Sequence, residues 1–486
     1  MKTNSLDFDA QALREKILDL AMRGKLVKQD PNDEPASVLL EKIKADTTNK
    51  LSAKKTKKIK IESHSGEENL KYKIPDNWTW TKIGYLIYKL SDGAHKTPRY
   101  TSTGVPFLSV KDMSRGQIDF GNCKYISEED HEILYKRCDP KKGDILLSKV
   151  GTTGVPALVD TEKKFDLFVS VALLKFNHNY IDPLYLKYLI ESSIVQIQAK
   201  RNTRGVGNKN WVLRDIAGTV VPLPPLSEQS RIAAKIAQLF ALLRKVESST
   251  QQYAKLQTLL KSKVLDLAMR GKLVEQDPND EPASVLLEKI KAEKKQLIKE
   301  KKMKKSKPLP PIADDEKPFE IPDSWEWVRL GEVNTYIGKN IHPEKTPEQL
   351  FELYSVPIYE TNSPEITSGK EIKSNKQTVI PDDILLCKIN PRINRVWRVG
   401  NYTNYKNIAS TEWIVVRQSQ LLPDYLRYVL MSPYFRKLLQ SNVSGVGGSL
   451  TRAKPVLVKK YVIPIPPLSE QSRISLKIAH LFTLLK

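Results

Sequence analysis

Cysteine is scarce, with three residues in 486 (Cys123, Cys138 and Cys387), too scattered for a disulfide framework or a four-ligand zinc site. That usage suits a reducing compartment. No apolar run reaches the length of a membrane-spanning helix, and no basic stretch followed by an apolar one opens the chain, so a soluble cytoplasmic protein is expected. The six histidines form no ligand-spaced cluster; His95, His131 and His342 read as surface residues, and no metal site is expected. Catalytic signatures are missing as well: there is no GxxxxGK[ST] loop, no HExxH, no GxSxG and no Asp/Asn-Pro-Pro-Tyr/Phe tetrapeptide of an adenine methyltransferase. Pro381-Asp382 followed by Lys388 hints at a nuclease, but the same pair at Pro75-Asp76 and Pro322-Asp323 reads as a turn. A non-catalytic protein is expected.

Positive charge is abundant, with 79 Lys and Arg against 56 Asp and Glu, a formal net charge of +23. A basic surface of that size favours polyanions, nucleic acid first. Repetition is the other plain feature. Leu18 to Ala45 returns as Leu265 to Ala292 with one change in 28 positions, Lys28 against Glu275. Pro222 to Arg244 (PLPPLSEQSRIAAKIAQLFALLR) returns as Pro464 to Lys486, and IPDNWTWTKIG from Ile74 as IPDSWEWVRLG from Ile321. Two domain-sized copies argue for a pseudo-twofold internal repeat and against a solenoid.

The expected fold class is α+β. Short β-prone runs between Gly, Pro and Asn fill two variable regions, 74–221 and 321–463, each with a helix near its end, Pro183 to Gln198 and Pro423 to Leu439. Asp144-Ile-Leu-Leu with Lys149 is echoed by Asp383-Ile-Leu-Leu with Lys388. Around these lie helical segments: 1–73 with a polar linker from about Asp46, 222–320 with a basic linker, and 464–486. In the central segment, Ile232, Ile236, Leu239, Leu243, Val246, Thr250, Tyr253, Gln257, Leu260, Val264 and Leu267 alternate spacings of four and three. From Ser227 to Met269 this is one helix of roughly 64 Å at 1.5 Å per residue. A lone helix with such a seam needs a partner, and the two terminal helices supply one in two antiparallel pieces, with a gap opposite Thr250 and Gln257. The run Lys294 to Lys307, eight lysines against one glutamate, reads as a solvated flexible linker.

Binding chemistry concentrates in loops. The first region offers His95, Lys96, Arg99 and Tyr100; then Lys149, Thr152 and Thr153; then Arg204, Asn208 and Lys209. In the second are Lys339 and Asn340; Lys388, Asn390, Arg392, Asn394, Arg395 and Trp397; and Arg452. Arg and Lys donate to guanine edges, Asn pairs bidentately with adenine, and all can hold phosphate, so double-stranded DNA is the expected partner. A protein-binding coiled-coil scaffold would explain the seam but not the charge. A stand-alone restriction nuclease lacks its motifs.

The pattern IPxxWxWxxxG, GDILLSK, PLPPLSEQxRI and LAMRGKLVxQDPxDEPAxxLL, all carried twice in close form, resembles the specificity subunit of Type I restriction-modification systems. The resemblance implies two target recognition domains separated by long antiparallel coiled-coil helices, each domain reading one half of a bipartite, asymmetric DNA site. It implies assembly with two methyltransferase subunits and two restriction/translocase subunits. Adenine-N6 methylation, and with it S-adenosylmethionine, ATP and Mg, would belong to those partners, with no cofactor in this chain.

Overall fold

The computed structural model describes residues 8–54, 61, 72–113, 116–205, 209–305, 307–441, 443–444 and 451–485. The described residues divide into two compact units, 8–250 and 251–485. Each is mixed helix and sheet, and the helix Leu226–Met269 runs through the division.

In the first unit, a four-stranded antiparallel sheet orders Lys89–Asp92, Val171–Lys175, Ile145–Ser148 and Pro156–Leu158. All of Ile145–Ser148 and Val171–Lys175 is buried, because the sheet is covered on both faces. Ile145, Leu147, Ala172 and Leu174 join the main core, while Leu146, Leu173 and Val171 join a smaller one under a second sheet of Lys124–Ile126, Val105–Leu108 and Asp166–Leu167. The second unit sets Ile384–Cys387 between Val396–Arg398 and Trp413–Val416, beside a five-stranded sheet. The expected single helix before the end of each region is two. Pro433 breaks Pro423–Met431 from Pro433–Ser441, and Ser192, extended at ψ 155, separates Pro183–Glu191 from Ser193–Asn202.

The repeated elements build the same frame in each unit. The helix Ala10–Met22 lies antiparallel to the first half of the long helix: Arg14 pairs with Glu247 at 2.6 Å and Arg231 with Asp33 at 2.5 Å. Leu468–Leu484 does the same to the second half, where the Lys261 ammonium stands 5.9 Å from the Phe482 ring centre and Arg473 pairs with Asp280 at 2.6 Å. Buried Glu228 accepts from Trp78 Nε1 at 2.8 Å and Gln29 Nε2 at 2.5 Å; buried Glu470 accepts from Trp325 Nε1 at 2.8 Å and Gln276 Nε2 at 2.6 Å. Gly24 and Gly271 end their helices at φ +65 and +67, where a Cβ would also meet a proline ring carbon at 2.4 Å. Tyr253, Leu256, Leu259 and Leu260 are each at least half exposed, along the stretch expected to face the gap.

Two linkers differ from expectation. Ala36–Lys54 and Ala283–Lys299 are helices that continue past the repeat, the second through half of the lysine run. Lysine, glutamate, glutamine and alanine are good helix formers, and buried Leu286 and Ile290 anchor the helix from which the run extends. Most of the first linker lies outside the described residues.

Candidate nucleic-acid interface

Lys149 marks the point where Ile145–Ser148 leaves its sheet. Its backbone amide donates to Ser170 O at 2.9 Å and its carbonyl accepts from Trp211 N at 2.8 Å, while Gly151 N donates to Lys209 O at 2.9 Å. A bridge between Arg204 and Asn210 and the 3.3 Å approach of the Thr153 and Thr203 hydroxyls complete the arrangement. Segments about 55 residues apart in sequence thereby share one surface, with Thr152, Arg204 and Lys209 exposed on it. Asn208 lies outside the described residues.

A buried carboxylate ties this surface to the His95 loop. Asp92, 4% exposed, takes Lys149 Nζ at 3.2 Å on one oxygen and Arg137 Nη2 at 2.6 Å on the other, with His95 Nε2 3.1 Å away. Burial works against the Asp92 charge, but the His95 and Lys149 contacts outweigh it and hold the carboxyl below its ordinary value. Lys149 itself is 5% exposed. Its side chain is an internal counter-ion, which corrects the expectation of a contact residue. His95 and Lys96 are exposed, as are Arg99 and Tyr100, the latter beside Phe107 and the Lys124 ammonium on the three-stranded sheet. Asp92 and Arg137 were not foreseen; Arg137 and Lys149 reach Asp92 from too far along the sequence for spacing to reveal them.

The second unit repeats the backbone plan. Lys388 N donates to Glu412 O, Ala453 N to Lys388 O and Asn390 N to Thr451 O, each at 2.9 Å. Arg392 and Arg452 are exposed, Arg452 at 3.1 Å from Glu412; Lys388, Asn390 and Arg395 are half-buried. Asn390 and Asn394 adopt φ +48 and +53, a left-handed backbone that asparagine tolerates, and Asn394 Nδ2 donates to Leu430 O at 3.0 Å. Both shape the loop. Trp397 is 3% exposed, its ring packed edge-on to Tyr354 and near Trp413, so it belongs to the core and not to a reading surface. Lys339 and Asn340 are exposed at the edge of the five-stranded sheet, apart from the Lys388 strand end. The Asp382 of the nuclease hint sits in a turn at φ +72, paired with Arg398 at 2.7 Å.

A sequence model of the Type I restriction modification DNA specificity domain matches residues 75–257 and 322–484, one match over each sheet system and its share of the helical frame. The chain belongs to this family. It is 32% identical over 380 residues to the Type I restriction enzyme EcoAI specificity subunit of Escherichia coli, covering 68% of this chain and 63% of that one. Against the EcoEI specificity subunit of the same organism the identity is 32% over 395 residues, with 70% and 64% covered. The chain thus spans less than two thirds of the length of these curated relatives. In fold it is similar to a chain from a structure described as bearing on complex assembly and conformational transition of the type I R-M system, with a TM-score of 0.51 at 18% identity over 85% of this chain and 92% of that one. Among the described residues no helix is long and apolar enough to cross a membrane.

Proposed function

We propose that this specificity-domain protein is the non-catalytic DNA-reading subunit of a Type I restriction-modification complex. Each region, taken as 74–221 and 321–463, reads one half of a bipartite site. The observation that carries this is the pairing of a duplicated frame with two unlike cationic loop clusters built on the same strand end, at Lys149 and at Lys388. Equal frames present the two clusters in equal ways, and unlike side chains make the two half-sites differ, hence an asymmetric target. The net charge of +23 supplies the phosphate attraction that any base readout needs.

In this reading His95, Lys96, Thr152, Arg204 and Lys209 in one region, and Lys388, Asn390, Arg392, Arg395 and Arg452 in the other, stand over the DNA. Two methyltransferase subunits and two restriction/translocase subunits dock on the complex, bring S-adenosylmethionine, ATP and Mg, and carry out adenine-N6 methylation and cleavage. Adenine-methylation mapping in cells carrying the cognate methyltransferase, with and without this chain, tests it. One two-part asymmetric motif that appears only with the chain is expected. A soluble, active methyltransferase complex that leaves no such motif would sink the reading.

A further inference from the structure

In both units the loop that follows the buried Ile-Leu-Leu strand is fastened at the break between two helices. The break is Ser192, between Pro183–Glu191 and Ser193–Asn202, in the first unit and Ser432, between Pro423–Met431 and Pro433–Ser441, in the second. A helix that ends leaves its last carbonyls without intrahelical partners, and in the interior these must find donors elsewhere. Ile190 and Leu430, two residues before each break, are buried. Both carbonyls accept from a side-chain amide: Gln196 Nε2 reaches Ile190 O at 2.7 Å, and Asn394 Nδ2 reaches Leu430 O at 3.0 Å.

The two amides come from different elements, and the loops explain the exchange. Ser148 N donates to Val155 O and Cys387 N to Arg395 O, both at 3.0 Å, so Gly154 and Asn394, one residue earlier, hold the same place. In the second loop Asn394 makes the bond itself. Gly154 has no side chain, and Gln196 enters the space: a Cβ on Gly154 would lie 2.9 Å from Gln196 Oε1. The same Gln196 Nε2 donates to Gly154 O at 2.7 Å. Gln196 and Arg436 both stand four residues after their break serine, and Arg436 Nη2 likewise donates to a loop carbonyl, that of Arg392. Each helix thus holds its loop through one side chain at the same position.

These loops carry Thr152 in one unit and Asn390, Arg392 and Arg395 in the other. A side chain reads a base only as well as its backbone is placed, and binding constellations need supports that hold them within about 0.5 Å. We propose that Gln196, and Arg436 with Asn394, are positioning residues for DNA readout, each setting the base preference of its own half-site through the loop it holds. This rests on the DNA-reading function above.

Methylation mapping with the full complex, scored as the preference for the native base over its alternatives at each position of the motif, tests the role. Gln196→Met keeps the side-chain length and removes the donor. Preference in the first half-site should fall about tenfold, the weight of about one hydrogen bond, with the second half-site unchanged. Gly154→Asn should do the same, because its side chain displaces Gln196. Gly154→Asn combined with Gln196→Arg gives the first loop the second loop's residues at both places, and should restore the preference to within about threefold. Residues that only stabilised the fold would add their losses in that double variant. Arg436→Met, at an exposed helix position, should relax the second half-site alone.

Unchanged preferences in an active Gln196→Met or Arg436→Met complex, or a loss shared equally by both half-sites, overturn the positioning role and leave the DNA-reading function standing. A double variant no better than its worse single does the same. If Gln196→Met abolishes methylation by misfolding, seen as a lowered urea midpoint, Arg436→Met decides alone. Absence of any motif with the unsubstituted chain overturns the DNA-reading function instead.

Discussion

The two halves meet the same structural need with different ions. In the first, the sheet holds Asp144 against Lys175 at 2.6 Å; in the second, Asp383 against Arg417 at 2.6 Å. Lys175 ends, and Arg417 directly follows, the strand that pairs with the buried Ile-Leu-Leu run, and each backbone carbonyl takes an amide from the start of the region, Tyr88 N to Lys175 O and Thr335 N to Arg417 O, both at 2.9 Å. One half neutralises its strand-end lysine, Lys149, with the buried acid Asp92, while the strand-end Lys388 of the other is half-buried. The frame around them hardly differs: Trp78–Glu228–Gln29 and Trp325–Glu470–Gln276 agree within about 0.1 Å. The halves agree where a buried carboxylate is held by two neutral donors, and differ in the cation that pairs with the buried strand-start acid.

That comparison can be broken at the ion pairs. Lys175→Met leaves Asp144 buried without its counter-ion, and an uncompensated buried charge costs about 3–5 kcal/mol. Arg417→Met should cost less, because the Arg417 side chain is 31% exposed and water can replace it. Hydrogen exchange in Val171–Lys175 and in Trp413–Val416 reads each effect locally; equal losses of protection would show that the two pairs are equivalent after all.

A smaller asymmetry lies at matching helix starts. Asp182 caps Pro183–Glu191 by accepting from Leu184 N and Tyr185 N, whereas Leu422 before Pro423–Met431 offers no side-chain cap. Asp182→Ala should lower the stability of the first unit by ~1 kcal/mol, and Leu422→Asp should raise that of the second by no more than this, unless its lost apolar contact outweighs the cap. Urea denaturation followed by the tryptophans reports both.

The smallest effect is one of pH. Arg329, 2% exposed, is held by Glu316 at 2.7 Å and by the Pro310 and Pro311 carbonyls, and its hydrogen bonds push the Glu316 carboxyl down to about 2. A depressed carboxylate stabilises fully above its unfolded value of 4.5 and loses that contribution as pH falls through about 2. Glu316 is itself 41% exposed, so the effect is below about 1 kcal/mol. Glu316→Gln should flatten the stability of the second unit between pH 4.5 and 2, measured by urea midpoints across that range; an unchanged slope would mean the pair is screened out. The first half has Lys82 at the corresponding strand position.

By itself the sequence determined the duplication, the long helix, the sheet-bearing regions and the basic character, because each is written in local periodicity or literal repetition. The long helix, expected from Ser227 to Met269, spans Leu226–Met269. What only the tertiary structure decided is which charged side chains are free to act. Lys149 and Lys388 stand in the same motif, yet one is enclosed by Asp92 and the other is half-buried in a loop closed by Glu412, Thr451 and Ala453. His131 and Trp397 read as surface residues and are buried. The second helix break needed no proline, since Ser192 Oγ turns back to Leu189 O at 2.5 Å much as Ser432 does to Val429 O at 2.6 Å. In each case the deciding partner is distant in sequence or depends on packing, and the free energy of a charge is set by what surrounds it in space.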